Sequence, residues 1–284
     1  MVDFILFPSS YYGVNYVDED LQSEYDAVVA TGLYETAFFS YDQWICEEKF
    51  ILSYKPDRMR KAIYRGWMMK PEQYKDFYNK LLKANIQLVT SPNEYELMHI
   101  FPNVHHLFKN DTAKMELYPL HSQIDVNVLK EKFDRFMVKD YVKSVKGTEF
   151  PRFFDKTITQ EAFDEWMKVF YKYRGGLLTG GICIKEFLDL KFYGDKTNEY
   201  RVFYVKHEVA TVSPNSAQPN YAPRVPKELV EKYRNLGSTY YTVDYAELAD
   251  GSWRVIEAGD GSVSGLSENQ DAESYFRALW QCFK

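Results

Sequence analysis

The sequence has few cysteines and no long apolar run, and both absences narrow what the protein can be. Cys46, Cys183 and Cys282 are its three cysteines in 284 residues, and they lie far apart. They form neither a disulfide framework nor a Cys-x-x-Cys metal pair, which is typical of a reducing cytoplasm. No stretch of about 18 consecutive apolar residues occurs, so the sequence predicts no membrane-spanning helix. We therefore expect a cytoplasmic protein with no membrane partner.

The chain also lacks an excess of positive charge. Its 35 basic and 41 acidic residues give a formal net charge of −6. No overall field therefore attracts nucleic acid, and we do not expect it as a partner. Aromatic residues make up 17% of the chain, but their even spread is typical of packing and not of a base-stacking surface.

The length and the order of apolar segments predict two domains of ordinary size. An apolar run at 61–66, an amphipathic segment beginning at Pro71 and a second run at 86–89 form a strand–helix–strand unit. This order predicts a small parallel α/β domain at the N-terminus. The polar stretch 110–128 predicts the connection between domains. We accordingly divide the chain into domains 1–125 and 126–284.

Three carboxylates flank a predicted hairpin near the C-terminus. The turn signal Asp250-Gly251 separates two strand-like runs, with Asp244 before it and Glu257 and Asp260 after it. Asp244 and Glu257 lie equally far from the turn, so pairing across the hairpin brings them together. Converging carboxylates repel one another unless a cation lies between them, and Mg²⁺ prefers such oxygen ligands. The alternative is a surface hairpin with scattered acids.

The same segment resembles the metal-binding end of ATP-grasp enzymes, in the form typical of the R-two-K clade. The resemblance rests on the strand residue Asp244, the Asp-Gly turn and the run Val255-Ile256-Glu257-Ala258-Gly259-Asp260-Gly261. The usual pattern is Glu-x-Asn; here Gly259 takes the Asn position and Asp260 follows it. The resemblance implies that Asp244, Glu257 and Asp260 hold Mg²⁺. It also implies an α/β N-terminal domain followed by an α+β ATP-grasp domain whose antiparallel sheets grip the nucleotide.

Three lysines are candidate phosphate contacts. A predicted strand over 136–143 places Lys139 and Lys143 on one face, and Lys146 lies in the following loop beside Gly147. Lysines on strands commonly just face water. The resemblance instead implies that Lys139 is the strand lysine that contacts phosphate in this family. It further implies that Lys143 and Lys146 belong to the family's flexible phosphate-covering loop.

Two further segments carry candidate nucleotide contacts. Glu186 follows an apolar strand; it either lies at a solvent-facing edge or begins the hinge, with Phe187 and Leu188, over which adenine lies in the family. Glu199 and Arg201 share one strand face and are either a surface ion pair or the Glu-x-Arg pair of the clade. In the second case Arg201 contacts phosphate, and Glu199 orients it or contacts the nucleotide.

Arg65 is the candidate substrate residue of the N-terminal domain. It stands in Tyr64-Arg65-Gly66-Trp67, at the carboxyl end of a predicted strand, where open α/β sheets bind ligands. It either caps the strand–helix loop or contacts an anionic substrate.

The resemblance implies an ATP-dependent carboxylate–amine ligase that uses ATP and Mg²⁺. A carboxylate of a small molecule or peptide is activated as an acylphosphate, and an amine or similar nucleophile then displaces phosphate, with Lys139 and Arg201 as catalytic residues. Two alternatives stay open. The protein could be an ATP-binding assembly factor for a protein partner with little turnover, or a kinase with the same phosphate grip.

Overall fold

The N-terminal third of the chain is an α/β domain, seen in a computed structural model that describes residues 2–284. Its strands and helices are β1 Phe4–Ser10, β2 Gly13–Val17, α1 Gln22–Thr31, β3 Glu35–Phe39, α2 Tyr41–Glu47, β4 Arg60–Tyr64, α3 Pro71–Lys83, β5 Ile86–Leu88, α4 Pro92–His99 and α5 Phe101–His105. β1 is central and pairs parallel with β3 and β4, while β4 pairs parallel with β5. β2 folds back antiparallel onto the end of β1. The predicted parallel α/β arrangement is confirmed.

Local sequence signals set the helices that follow β4. Pro71 occupies the first turn of α3, where a missing N–H costs nothing, and Tyr74, Phe77 and Leu81 form its buried face. α4 begins with a capping box, in which Ser91 accepts from the Glu94 amide and Glu94 accepts from the Ser91 amide. α3 connects β4 to β5 within the sheet, and α4 and α5 then lead the chain from the N-terminal sheet to the rest of the molecule.

The next segment forms a smaller lobe, called here the middle lobe (115–186). Its elements are β6 Met115–Tyr118, α6 Val126–Lys132, β7 Arg135–Asp140, β8 Phe154–Asp155, α7 Gln160–Arg174 and β9 Ile182–Glu186. The sheet is antiparallel in the order β6-β9-β7-β8. The stretch 110–128, predicted as a connection, therefore contains a sheet strand. The predicted boundary at residue 125 falls inside this lobe, because β6 pairs with β9.

The last segment forms an antiparallel sheet of four strands in the order β13-β12-β14-β15. Its elements are β10 Phe192–Tyr193, β11 Lys196–Thr197, β12 Glu199–Val205, β13 Glu208–Pro214, α8 Lys227–Lys232, β14 Tyr240–Glu247, β15 Trp253–Asp260 and α9 Ala272–Phe283. The Asp250-Gly251 turn joins β14 to β15, and Gly251 has φ +83°, a conformation that glycine adopts at little cost. The predicted hairpin is confirmed.

The N-terminal domain and the last sheet are packed through shared cores. Met98 and Phe101 belong to one buried cluster with Val243 of β14, and Val28 belongs to another with Phe276 of α9. The middle lobe has a separate core built around β7, β9 and α7. No helix within residues 2–284 is long and apolar enough to cross a membrane.

Candidate functional site

A small cavity lies where the last sheet, helix α4 and the loop after β7 of the middle lobe meet. Its volume is about 100 Å³, and Lys143, Arg201, Asp244 and Glu257 are among the charged residues that line it. This volume suits a metal ion with a phosphoryl group and is too small for a whole nucleotide. These four charged residues come from three separate segments of the sequence, which only the fold brings together.

Two of the three predicted metal ligands face each other across the hairpin. Asp244 and Glu257 are register partners in β14 and β15. A bulge follows this pair, because Tyr245 is paired with Val255 and Ile256 is left over. Both carboxylates are already in ion pairs: Asp244 with Arg201, and Glu257 with Lys139. The sequence prediction that the hairpin brings these two acids together is thus met in the fold.

The third predicted ligand, Asp260, also lines the cavity but is more deeply buried than the other two. Alternation along β15 puts Glu257 and Gly259 on one face and turns Asp260 away from it. Asp260 has no exposed surface; its Oδ1 accepts from the Ser262 amide at 2.9 Å, and within residues 2–284 its Oδ2 has no hydrogen-bond partner. Burial raises the pKa of Asp260 to about 7, although the bonds from Ser262 lower it in part. In the same described range, no group of three His, Cys, Asp or Glu side chains has metal-site geometry.

Two buried lysines approach Glu257 from the middle lobe. Nζ of Lys139 lies 2.7 Å from Oε2 of Glu257, and the Lys139 side chain is 5% exposed. Lys185, on the neighbouring β9, donates to the Ile256 carbonyl and lies 4.4 Å from the Phe101 ring. Burial disfavours the charged form of both lysines. At Lys139 the attraction of Glu257 outweighs burial, so the pKa of Lys139 is raised. At Lys185 burial prevails and lowers the pKa to about 8. Burial would raise the pKa of Glu257, yet the two lysines hold it below its ordinary value.

The loop lysines lie outside the predicted strand. β7 ends at Asp140, because Oδ1 of Asp140 accepts from the amides of Val142 and Lys143 and turns the chain. The strand alternation that placed Lys139 and Lys143 on one face therefore does not hold to residue 143. Lys143 reaches the cavity all the same, and Lys146 is exposed next to Gly147, whose φ is +71°.

The predicted hinge follows β9 and crosses to the last sheet. Glu186 caps this end, since its Oε2 accepts from the Lys114 amide at 3.0 Å. The Phe187 amide donates to the Arg135 carbonyl, and its ring lies 4.6 Å from that of Phe153. Leu188 is half-buried. Glu186 is thus neither buried nor unpaired, and none of the three residues lines the cavity.

Arg201 is held by a different acid from the one that the sequence suggested. It binds Asp244 with both prongs of its guanidinium, Nε to Oδ1 at 2.8 Å and Nη2 to Oδ2 at 2.7 Å, and donates to the Gly265 carbonyl. Glu199 lies two residues earlier and accepts from the Thr197 hydroxyl instead. Pairing across β12 and β14 explains this, because Asp244 is the register partner of Arg201.

Arg65 does not face the cavity. It is 2% exposed, and its guanidinium binds both oxygens of Glu24 at 2.8 and 2.7 Å. Nη1 donates to the carbonyls of Gly261 and Ser264 at 2.6 and 2.8 Å. In this structure Arg65 therefore links the N-terminal domain to the loop after β15. Its contact with a substrate stays a prediction.

Two residues at the site have no place in the sequence prediction. Lys185 stands in an apolar strand directly before Glu186, and the same signal, a charge within an apolar run, applies to both residues. His99, at the end of α4, is 7% exposed, lines the cavity and stacks on Tyr95. Burial lowers the pKa of His99 to about 4, so its ring is neutral near pH 7. No sequence spacing links His99 to the hairpin.

The comparison with protein families agrees with this geometry. Residues 126–279 match the family described as ATP-grasp domain, R-two-K clade family 3, which is more than half of the chain. The chain therefore belongs to the R-two-K clade of the ATP-grasp superfamily. No curated protein sequence matches it significantly.

Solved structures similar to this chain are ATP-grasp ligases. The ligase PsnB in complex with minimal precursor, Mg and ADP is 11% identical, with a TM-score of 0.61 and full coverage of both chains. The D-alanine–D-alanine ligase from Coxiella burnetii is 10% identical, with a TM-score of 0.65, over 99% of this chain and 93% of the other. The D-cycloserine synthetase DcsG is 12% identical, with a TM-score of 0.59, over 99% of each. At these identities the likeness establishes the ATP-grasp fold.

Proposed function

We propose that the protein is a Mg-ATP-dependent carboxylate–amine ligase. The observation that carries this proposal is the convergence of Lys139, Lys143 and Arg201 with Asp244 and Glu257 around one cavity between two antiparallel sheets. Three cationic side chains next to two carboxylates match the needs of a triphosphate with a divalent cation. The ATP-grasp fold supports the same conclusion.

The donor set fits Mg²⁺. Asp244 and Glu257 supply hard oxygen ligands on one side of the cavity, and two such carboxylates with substrate phosphates are a usual magnesium environment. Bound there, the ion would neutralise charge on the phosphate oxygens. Asp260 also lines the cavity but is not included, because it has no exposed surface and burial raises the pKa of its carboxyl to about 7, which weakens it as a metal ligand.

The chain's own residues would then bind and orient the reacting groups. Lys139 would exchange its partner Glu257 for a phosphate oxygen, and Lys185 lies close enough on β9 to add a second charge. Arg201, already held by Asp244, presents a fork of fixed direction. The exposed loop with Lys146 and Gly147 would cover the phosphates and exclude water, which protects an acylphosphate from hydrolysis. Phe187 and Leu188 would border the adenine.

The carboxylate and the nucleophile are small molecules or peptides in this proposal. Support comes from the similar folds, since PsnB was solved with a precursor peptide and the others are a D-alanine–D-alanine ligase and a D-cycloserine synthetase. These names refer to a peptide, to D-alanine and to D-cycloserine, and none of them fixes the substrate of this chain.

The test is titration calorimetry with AMPPNP, with and without Mg²⁺. We expect Mg-dependent binding that weakens by about tenfold or more in Lys139→Ala and in Glu257→Ala, because each loses a charge-assisted contact. Lys191→Ala, outside the cavity, is the control and should bind normally. Unchanged affinity in both site variants would contradict the site.

Product analysis then separates the ligase from its two rivals. Amide product with free phosphate supports the ligase, a stable phosphorylated product indicates a kinase, and binding without turnover on a broad substrate panel indicates an assembly factor.

A further inference from the structure

The charged residues among the first 48 are all acidic. These 48 residues contain ten Asp and Glu residues and no Lys or Arg, so they carry a charge of −10 in a chain whose total is −6. The rest of the protein is therefore net positive. An asymmetry of this size favours contact with a cationic partner on the N-terminal side.

Within this segment, the β1–β2 hairpin and the turn after it form what we call the tyrosine arm (residues 10–20). Tyr11, Tyr12 and Tyr16 are 78, 90 and 72% exposed. Together with Tyr221, at 75%, they are the four most exposed tyrosines of the described residues. The rings of Tyr11 and Tyr12 meet edge to face at 5.6 Å. Three large rings in water on one short hairpin are typical of an interaction surface.

The arm also carries backbone groups without a strand partner. β2 pairs with β1 only through Gly13 and Val17, so residues 14–16 have no register partner there. Within residues 2–284, no strand lies on the other edge of β2. Such an edge offers N–H and C=O groups to an added extended peptide.

Acidic side chains without cationic partners follow the tyrosines closely in the sequence. Asp18, Glu19 and Asp20 follow β2 directly, and Asp26 lies on α1; none has a salt bridge among residues 2–284. Glu24, between them, is instead committed to Arg65. The unpaired acids therefore supply charge that is complementary to lysine or arginine, and tyrosine rings bind the same cations through their faces.

The arm adjoins the cavity. Asp18 Oδ2 accepts from Nε1 of Trp67 at 3.0 Å, and the next residue, Met68, lines the cavity. The carbonyl of Ser262, which follows the β14–β15 hairpin, accepts from the Gly66 amide at 3.0 Å. A chain bound along the arm thus ends within reach of the reacting centre.

We propose that the tyrosine arm docks an extended, cationic peptide segment and delivers it to the cavity. The peptide backbone adds to the edge of β2, its basic side chains lie over Tyr12 and Tyr16, and Asp20 and Asp26 pair with the charges. This proposal rests on the proposed ligase function and names its substrate class: a basic peptide.

The experiment is fluorescence anisotropy with a labelled eight-residue peptide of alternating lysine and threonine. The matched probe replaces lysine by glutamate. We compare wild type, the arm variant Tyr12→Ser/Asp20→Asn and the control variant Tyr221→Ser/Asp76→Asn, which changes an exposed tyrosine and an exposed acid elsewhere. The lysine probe should bind wild type and control, bind the arm variant about tenfold or more weakly, and weaken as salt rises.

Other results overturn the proposal in distinct ways. Equal binding of the lysine probe to the arm variant, or equal binding of both probes to wild type, would sink it. A wild-type dimer that the arm variant turns into a monomer in sedimentation would show that the arm binds a second copy of this chain. AMPPNP titration of the same samples tells the two proposals apart: normal Mg-AMPPNP binding without peptide binding removes only the docking proposal.

Discussion

Single residues at the candidate site are held by ion pairs that a bound nucleotide would rearrange. Lys139 is paired with Glu257 and Arg201 with Asp244, so each of these two candidate phosphate contacts is bound to a candidate metal ligand. In a cavity lined by both signs, the carboxylates hold the cationic groups in place before a ligand arrives. This arrangement predicts that geometry matters at Arg201 as much as charge.

Arg201→Lys tests the need for the guanidinium fork. Lysine keeps the charge but cannot bind both oxygens of Asp244 and the Gly265 carbonyl together, as Arg201 does. We expect a loss of about tenfold or more in Mg-AMPPNP affinity, read by calorimetry. Arg224→Lys, on an exposed loop, is the control. Wild-type affinity in Arg201→Lys would show that Arg201 does not contact phosphate.

Two buried groups at the site have opposite effects on the pH dependence of stability. Burial lowers the pKa of His99 to about 4. Between about pH 4 and 6.5 the unfolded chain therefore binds a proton at His99 that the folded protein does not bind. The free energy of unfolding consequently rises with pH over this range. The pKa of Asp260 is raised by burial to about 7, so the folded protein keeps a proton that the unfolded chain loses above pH 3.8. That contribution falls with pH up to about 7.

The two effects nearly cancel in the wild type, and single variants should separate them. We expect the free energy of unfolding to rise with pH in Asp260→Asn and to fall in His99→Gln, by about 3 kcal/mol in each case between roughly pH 4 and pH 6.5. Urea denaturation in metal-free buffer measures both. Slopes equal to the wild-type slope would show that neither group titrates as its burial requires. Asp76→Asn, an exposed acid, should keep the wild-type slope.

At the scale of elements, the sequence predicted what local chemistry determines. The Asp250-Gly251 hairpin, the helix that begins at Pro71 and the strand–helix–strand order all follow from turn, cap and period signals, and the structure confirms them. The pairing of Asp244 with Glu257 follows from their equal distance from the turn. These features depend on residues close in sequence.

Features that depend on partners distant in the sequence could not be predicted from it. Glu24 and Arg65 lie on separate elements, so no spacing shows that Arg65 is already paired with Glu24. His99 reaches the cavity only because α4 packs against β15. The end of β7 at Asp140 depends on one side chain that turns back to bind two amides, which outweighs the apolar pattern continuing to Val142.

The loop after β7 should respond to nucleotide. Lys146 and Gly147 are exposed between the turn at Asp140 and the buried Phe150, so trypsin can reach the bond after Lys146. We expect Mg-AMPPNP to slow this cleavage severalfold as the loop closes over phosphate, read by mass spectrometry. Cleavage after Lys196, the exposed first residue of β11, is the internal reference. Equal slowing at both bonds would mean general stabilisation and would contradict a lid.

The N-terminal domain and the last sheet form one unit of the molecule, and the middle lobe forms a second unit that is less firmly attached to it. The N-terminal domain and the last sheet share two buried clusters, whereas the middle lobe has its own core and meets the last sheet at the site through Lys139 and Lys185. A cavity of about 100 Å³ admits no whole ATP. Under the proposed function we expect the middle lobe to move away from the last sheet to admit the nucleotide, and a small, largely polar contact permits that motion.

Arg65 links the rigid part of this arrangement. Its guanidinium joins Glu24 of the N-terminal domain to the carbonyls of Gly261 and Ser264, which follow the β14–β15 hairpin. Arg65→Met leaves the Glu24 carboxylate, which is only 13% exposed, without its partner. We expect this change to lower the free energy of unfolding by about 3–5 kcal/mol. Arg60→Met, which breaks pairs with Asp3 and Glu35 whose carboxylates are 47 and 66% exposed, should cost less than about 1 kcal/mol. Urea denaturation compares the two. A stable Arg65→Met protein whose only defect is a raised KM for its carboxylate substrate would instead restore Arg65 as a substrate contact.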